Sequence, residues 1–181
     1  KRLASDYLHK FSRLIRGMLD SSRNEVIPFE KDLELLQLYI DLERLRFNNK
    51  FTSHIEIDPE LLHGDYKVPS LLIQPFLENA IIHGIAHSKK DGLKLNVSVK
   101  INDGKICYTI EDDGVGRKKA ALYNNRNKPN HTSVGLKITE DRILHFNQTK
   151  KLVDRAVVIT DLFDGQNEPA GTRIKVTIAA N

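Results

Sequence analysis

The sequence predicts an α+β fold: a mixed, mostly antiparallel sheet with helices on one face, preceded by an N-terminal helical pair. Apolar residues recur at three- and four-residue spacing over the first fifty positions, and from Phe51 the period drops to two. Asn102-Asp103-Gly104 separates two alternating segments, a strong hairpin signal. Near the C-terminus two further alternating segments flank a polar, glycine-containing turn.

Taken in order, Leu3, Tyr7, Leu8, Phe11, Leu14, Ile15, Met18 and Leu19 recur at helical spacing and predict an amphipathic helix with one buried stripe. Pro28 suits an early helical position. Leu33, Leu36, Leu38, Tyr39, Leu42 and Leu45 then carry a second helix to Phe47 and the Asn48-Asn49 stop. Ile55 and Ile57 mark a short strand before Asp58-Pro59. Val68 to His83 returns to helical spacing, with Pro75 set to kink or restart the helix. Leu93–Ile101 and Lys105–Ile110 form the hairpin strands, Gly135–Phe146 is helical, and Ala156–Phe163 and Thr172–Ile178 are the last strands. The boundaries expected are 1–49 for the helical segment and 50–181 for a domain built on the sheet.

The chain has 181 residues with 40% apolar and 29% charged content, enough to bury a core. A net charge of +4, no Trp, and no interleaving of aromatic with basic residues argue against a nucleic-acid surface. The single Cys107 excludes an intrachain disulfide framework and points to a reducing compartment. The longest nearly apolar run, Val68 to Ile82, is too short for the roughly 20 residues a membrane helix needs. Beginning at Lys1 without a signal pattern, the chain reads as a fragment whose first helix continues something upstream.

Three features carry chemistry. Gly114 to Thr139 has six Lys and Arg and no Asp or Glu, and its polar middle, Tyr123 to Ser133, reads as a loop: either a solvated surface segment or a functional lid. Directly before it, Asp112-Asp113-Gly114-Val115-Gly116 follows a strand. That is either an acidic turn or a place where glycines let the backbone approach a flat ligand while a carboxylate accepts its amino hydrogens. Finally, Leu72, Phe76, Asn79 and His83 form one stripe that turns from apolar to polar. It is either a helix end emerging into solvent or the wall of a site in which Asn79 offers a neutral oxygen to Mg²⁺ and Glu78 a base.

Together, Glu78-Asn79-Ala80-Ile81-Ile82-His83-Gly84, Asp112-Asp113-Gly114-Val115-Gly116, Val134-Gly135-Leu136 and Gly171-Thr172 resemble, in order, the nucleotide boxes of the histidine-kinase-like ATPases. The flanks Leu14-Ile15-Arg16, Tyr39-Ile40-Asp41-Leu42-Glu43, Arg46-Phe47, Val68-Pro69 and Leu72-Ile73-Gln74-Pro75-Phe76 are similar to those of the LytS-type sensor histidine kinases, so the likeness covers nearly the whole chain. It implies a two-layer α/β sandwich binding ATP and Mg²⁺. Asn79 would coordinate Mg²⁺ through the phosphates, and Glu78 would orient or deprotonate the attacking group. Asp112 would accept the adenine amino hydrogen, with Gly114, Gly116 and Thr172 around it. Residues 115–134 would be the ATP lid, ended by Gly135 and Leu136, and His83, Lys137 and Arg142 are further phosphate candidates.

Two departures stand out. Ser133 replaces the first glycine of the usual Gly-x-Gly-Leu, and Ile138 replaces a common Asn. The family's phosphate-accepting Asn-Pro-His-Phe segment is absent from these residues, and His9 lacks that context. The resemblance therefore implies ATP binding without self-phosphorylation, and, in the intact protein, a membrane-tethered homodimer with a cytoplasmic catalytic part that acts on a response regulator of LytTR type. The alternatives are a stand-alone ATPase or serine kinase of the same fold, or a degenerate dimerisation module.

Overall fold

In the computed structural model the described residues are 2–124, 134–152 and 155–180, with backbone only for 2–4, 121–124 and 134. The chain runs α1 (Arg2–Ser22), β1 (Val26–Pro28), α2 (Phe29–Arg46), β2 (Phe51–Ile57), α3 (Pro59–His63), β3 (Lys67–Pro69) and α4 (Gln74–Glu78). A π-helix at Asn79–Ile85 continues α4. Then come β4 (Leu93–Asn102), β5 (Lys105–Asp112), α5 (Gly116–Asn124), α6 (Val134–Thr149), β6 (Val157–Phe163) and β7 (Pro169–Ala179).

Five strands form one sheet in the order β2-β4-β5-β7-β6, with β2 parallel to β4 and the remaining pairs antiparallel. Strand alternation sends Leu95, Val97 and Val99 of β4, Ile106, Tyr108 and Ile110 of β5, and Ile174, Val176 and Ile178 of β7 to one buried face, while their neighbours face outward. The helices cover that face. Phe29, Leu36 and Ile40 of α2, Phe76 and Leu77 of α4, Ile81 and Ile85 of the π-helix, and Ile143 of α6 complete a single core. This is the two-layer α+β arrangement expected from the sequence.

That core does not divide at residue 50. Buried residues of α2 pack in the same cluster as Phe51 and Tyr108, and the Tyr108 hydroxyl donates to Asp32 of α2 at 3.3 Å. Burial raises the Asp32 carboxyl to about 7, with the Tyr108 hydrogen bond pulling the other way. α1 lies outside on α2. Gly17 permits the approach, since a Cβ there would stand 2.5 Å from Leu35 Cδ2, and Lys10–Asp41 (2.7 Å) and Arg13–Glu34 (2.8 Å) flank the seam.

Several elements differ from their sequence-based expectation. Val68 and Pro69 are in a strand, not a helix: Pro69 lacks an amide hydrogen but ends a short ribbon in which β3 pairs antiparallel with β1. Leu71 then turns the chain at φ 54°, and the helix starts only at Gln74, with Pro75 in its first turn: the restart, not the kink, of the two expected at Pro75. Pro28 stands just ahead of α2, at φ −55° and ψ 142°. The turn at Asp58-Pro59 opens the one-and-a-half-turn α3, with Asp58 accepting the Glu60 amide at its N-cap. The cationic stretch begins as helix α5, because Arg117 to Leu122 are good helix formers. The rest of the expected loop, 125–133, including Ser133, lies outside the described residues.

Candidate functional site

The site forms where the buried row of the sheet runs out. In register, Leu95 of β4, Asp112 of β5, Thr172 of β7 and Asp161 of β6 lie side by side. Asp112 has the same parity as Ile106, Tyr108 and Ile110, so β5 carries a carboxylate inward at its last position. It is 2% exposed. Burial pushes its carboxyl up to about 7; the Gly114 amide, which donates to Oδ1 at 2.9 Å, and the Thr172 amide pull down, while Asp113 and Glu111 push up.

Three glycines make room around it. A Cβ on Gly84 would meet Asp112 Oδ1 at 2.5 Å, one on Gly114 would meet the Gly84 carbonyl at 2.4 Å, and one on Gly171, at φ 129°, would meet the Asp112 carbonyl at 2.0 Å. The Val115 amide donates to the Gly84 carbonyl at 3.1 Å, tying the glycine loop to the π-helix. Asp113 turns away and accepts the Lys94 amide at 2.7 Å.

The opposite wall is the π-helix itself. π-Turns are uncommon and concentrate at functional sites; here the Ala86 amide reaches back five residues to Ile81. The Asn79 side-chain amide donates to the Pro75 carbonyl at 2.6 Å, which commits its nitrogen and leaves Oδ1 as the acceptor. Asn79, His83, Gly84, Asp112, Gly116 and Thr172 line one cavity, closed by Ala80, Arg117, Ala120, Leu136, Ile159 and Ile174. His83 stacks on His87, with centroids 6.3 Å apart and planes at 18°; burial and then His87 hold its pKa below the ordinary value. A larger groove of about 410 Å³ beside it shares Arg117 and Ile159 but contains neither Asp112 nor Asn79, so chemistry rather than size selects the site.

The structure brings together Asn79, His83, Asp112, Gly116, Leu136 and Thr172, with Gly114 against the cavity wall. Others lie elsewhere. Glu78 Oε1 accepts from Gln74 at 3.1 Å, and its charge is felt by Tyr39 and Glu43, which places it toward α2. Gly135 and Lys137 are exposed on α6, outside the cavity lining. Arg142 donates to the Ser70 carbonyl at 3.0 Å on another face of α6. Of the cations in the acid-free stretch, Arg117 makes two hydrogen bonds to Asp161 (2.7 and 2.9 Å), Lys119 pairs with Glu168 at 3.0 Å, and Lys118 stands 5.8 Å from the Phe163 ring centroid. Sequence reasoning missed the apolar wall of Ala120, Ile159 and Ile174; strand parity was the available signal for Ile174, whose phase matches Thr172.

A family model described as histidine kinase matches residues 1–51. The chain is 29% identical over 164 residues to the sensor protein LytS of Oceanobacillus iheyensis, covering 82% of this chain and 27% of that protein. This chain is related to the LytS-type sensor histidine kinases. The Escherichia coli sensor histidine kinase YpdA is 34% identical over 113 residues, covering 62% of this chain and 19% of that protein, so the chain spans a minor part of these relatives. Among solved structures, a mycobacterial sensor histidine kinase, MprB, superposes with TM-score 0.54 at 16% identity, covering 87% of this chain and 97% of that one. The catalytic domain of histidine kinase ThkA gives 0.52 at 14% identity, covering 85% and 94%. The fold is that of the histidine-kinase catalytic domains.

Proposed function

We propose that this chain is the ATP- and Mg²⁺-binding catalytic part of a two-component sensor histidine kinase, which transfers the γ-phosphate to a histidine outside the residues present and from there to a response regulator. The observation that carries it is Asp112: a buried carboxylate held by two backbone amides, walled by three glycines, across a cavity from Asn79. Ionised, its remaining lone pairs accept the amino hydrogens of adenine, and the adenine ring fills the flat space between the glycines and Ile174. Thr172 and Gly116 border that plane.

The donor set suits Mg²⁺. Asn79 supplies one neutral oxygen, and no group of three or more His, Cys, Asp or Glu side chains suited to a metal occurs among the described residues. Mg²⁺ takes few protein ligands and completes its shell with phosphate oxygens and water. When bound, it neutralises phosphate charge. His83, on the Asn79 stripe, is a phosphate contact. Most catalysis of phosphoryl transfer is positioning and charge neutralisation, so a fixed base and fixed cation suffice to present the γ-phosphate.

Glu78 acts from the other side of the same helix. It faces α2, where Gln74 also donates to Met18 Sδ of α1 at 3.8 Å. A histidine-bearing helix continuing the α1 bundle would approach that side, and Glu78 would orient or deprotonate its imidazole. The nucleotide-binding body then starts at β1 rather than at residue 50. α1 belongs to the histidine-bearing bundle. Its exposed stripe of Leu8, Phe11, Ile15 and Leu19 pairs with a second copy to form the homodimer.

No helix among the described residues is long and apolar enough to cross a membrane. Read as a kinase, on its likeness to LytS, the chain is the cytoplasmic part of a membrane-tethered protein whose partner is a response regulator of LytTR type. The test is transfer from ATP labelled at the γ-phosphate to a separate polypeptide carrying an Asn-Pro-His-Phe segment. Acid-labile label on that histidine supports the proposal. Label retained on ATP, or appearing on serine, overturns it.

A further inference from the structure

Lys50 lies outside the nucleotide cavity and outside every sequence motif, yet it holds the end of the helix that forms the cavity wall. Its ammonium donates to the Ala86 carbonyl at 3.2 Å and to the Ser88 carbonyl. Ala86 is the C-cap of the π-helix and Ser88 follows two residues later, so these carbonyls stand just past the helix end, where no further turn pairs with them and where the helix dipole favours a cation. The backbone of Lys50 is itself anchored: its amide donates to Phe47 at 3.0 Å, and the next residue, Phe51, is fully buried at the start of β2 opposite Leu93. A rigid edge of the sheet therefore grips the C-terminal end of the π-helix.

Tolerance is small just ahead of that end. Two residues before Ala86, Gly84 presses on Asp112 closely enough that a Cβ would collide, and its carbonyl accepts the Val115 amide that fixes the glycine loop. A drift of the helix end by a few tenths of an ångström would alter the gap between Gly84 and Asp112 and loosen the Val115 bond.

We infer that Lys50 is a positioning residue of the nucleotide site: by clamping the Ala86 and Ser88 carbonyls it sets the Gly84–Asp112 spacing that admits the base. This deepens the ATP reading and rests on it. The clamp acts on the base end of the ligand, so its loss weakens every adenine-containing ligand by a similar factor.

The experiment compares the unaltered chain with Lys50→Met and Lys50→Arg, measuring binding of MgADP and of adenosine by calorimetry and amide hydrogen exchange of residues 84–88 and 115. Lys50→Met is expected to weaken both ligands about tenfold and to speed exchange at Ala86, Ser88 and Val115; Lys50→Arg restores most of both. Unchanged affinity with unchanged exchange overturns the inference. So does loss of MgADP binding with adenosine binding intact, which would make Lys50 a phosphate ligand. If no variant, including the unaltered chain, binds nucleotide, the ATP reading fails, while the exchange rates still decide whether Lys50 clamps the helix end. Lys50→Arg, which keeps the charge, covers the case in which Lys50→Met does not fold.

Discussion

Asp112 and Asp32 are buried carboxyls with the same direction of shift and different consequences. Asp112 must be ionised to accept an adenine amino hydrogen, and its proton is held until about pH 7. Nucleotide affinity should therefore rise as pH increases through 7 and level off above it, with a proton released on binding below pH 7, measurable as a buffer-dependent heat. Gly84→Ala puts a methyl 2.5 Å from Asp112 Oδ1; binding should fall about 5- to 150-fold, because an occluded or unsatisfied polar partner costs about 1–3 kcal/mol.

Asp32 lies outside the lining of the nucleotide cavity. The folded chain holds its proton to about pH 7 whereas the ordinary value is 3.8, so the folded state carries more bound proton between those limits. Its contribution to stability consequently falls as pH rises from about 4 to 7 and stays lost above that. Asp32→Asn keeps an acceptor for the Tyr108 hydroxyl and carries no charge. It should raise the melting temperature at pH 8 and leave it little changed at pH 4.5, as thermal denaturation at the two pH values would show.

Among the elements, those with strong period were legible and those made by pairing were not. The α1 and α2 helices, the β4–β5 hairpin and the β6–β7 pair followed from spacing alone, but Leu8, Phe11, Ile15 and Leu19 of the α1 stripe, expected to be buried, are exposed because α1 meets α2 on one side only. The β1–β3 ribbon did not: its three-residue strands are too short for a period, and only their mutual pairing makes them strands. Likewise, Pro75 marked a restart within Val68 to His83, but nothing in that run announced the β3 strand or the left-handed turn at Leu71 that precede the helix start at Gln74. Asn79 and His83 were placed on one stripe by helical spacing and do share a cavity wall, although the helix is of the π type. Glu78, one residue away, necessarily points about a quarter-turn aside, which is why a box read as one unit divides between two faces.

The exposed stripe on α1 makes its own prediction. Leu8→Glu combined with Leu19→Glu replaces two side chains that are 61% and 60% exposed, so the fold should be unaffected while sedimentation shifts from dimer to monomer. An unchanged sedimentation coefficient together with a monomeric parent chain would refute the dimer assignment. On α5, Arg117→Ala breaks a pair that is partly solvated, worth less than about 1 kcal/mol of stability. Melting should barely change.

At the scale of the whole molecule, a body built on one face of a five-stranded sheet ends in a cavity bordered by a π-helix, a glycine loop and the start of β7, with the α1 seam on the far side of the helix. The ordered boxes made most of that cavity legible from sequence. What sequence could not provide was the apolar wall, which depends on strand register, and the pairing of Arg117 and Lys119 with acids more than forty residues away. The cationic stretch that stood out in the sequence is thus partly neutralised at its helical beginning.

The central claim is that Asp112 makes this cavity an adenine-nucleotide site. Calorimetric titration of the chain with a non-hydrolysable ATP analogue, with and without Mg²⁺, tests it when repeated on Asp112→Asn, in which an NH₂ would face the adenine amino group. The account predicts Mg²⁺-dependent binding at pH 8 that Asp112→Asn weakens by about two orders of magnitude. An absence of Mg²⁺-dependent binding, or equal affinity for the two proteins, would contradict it.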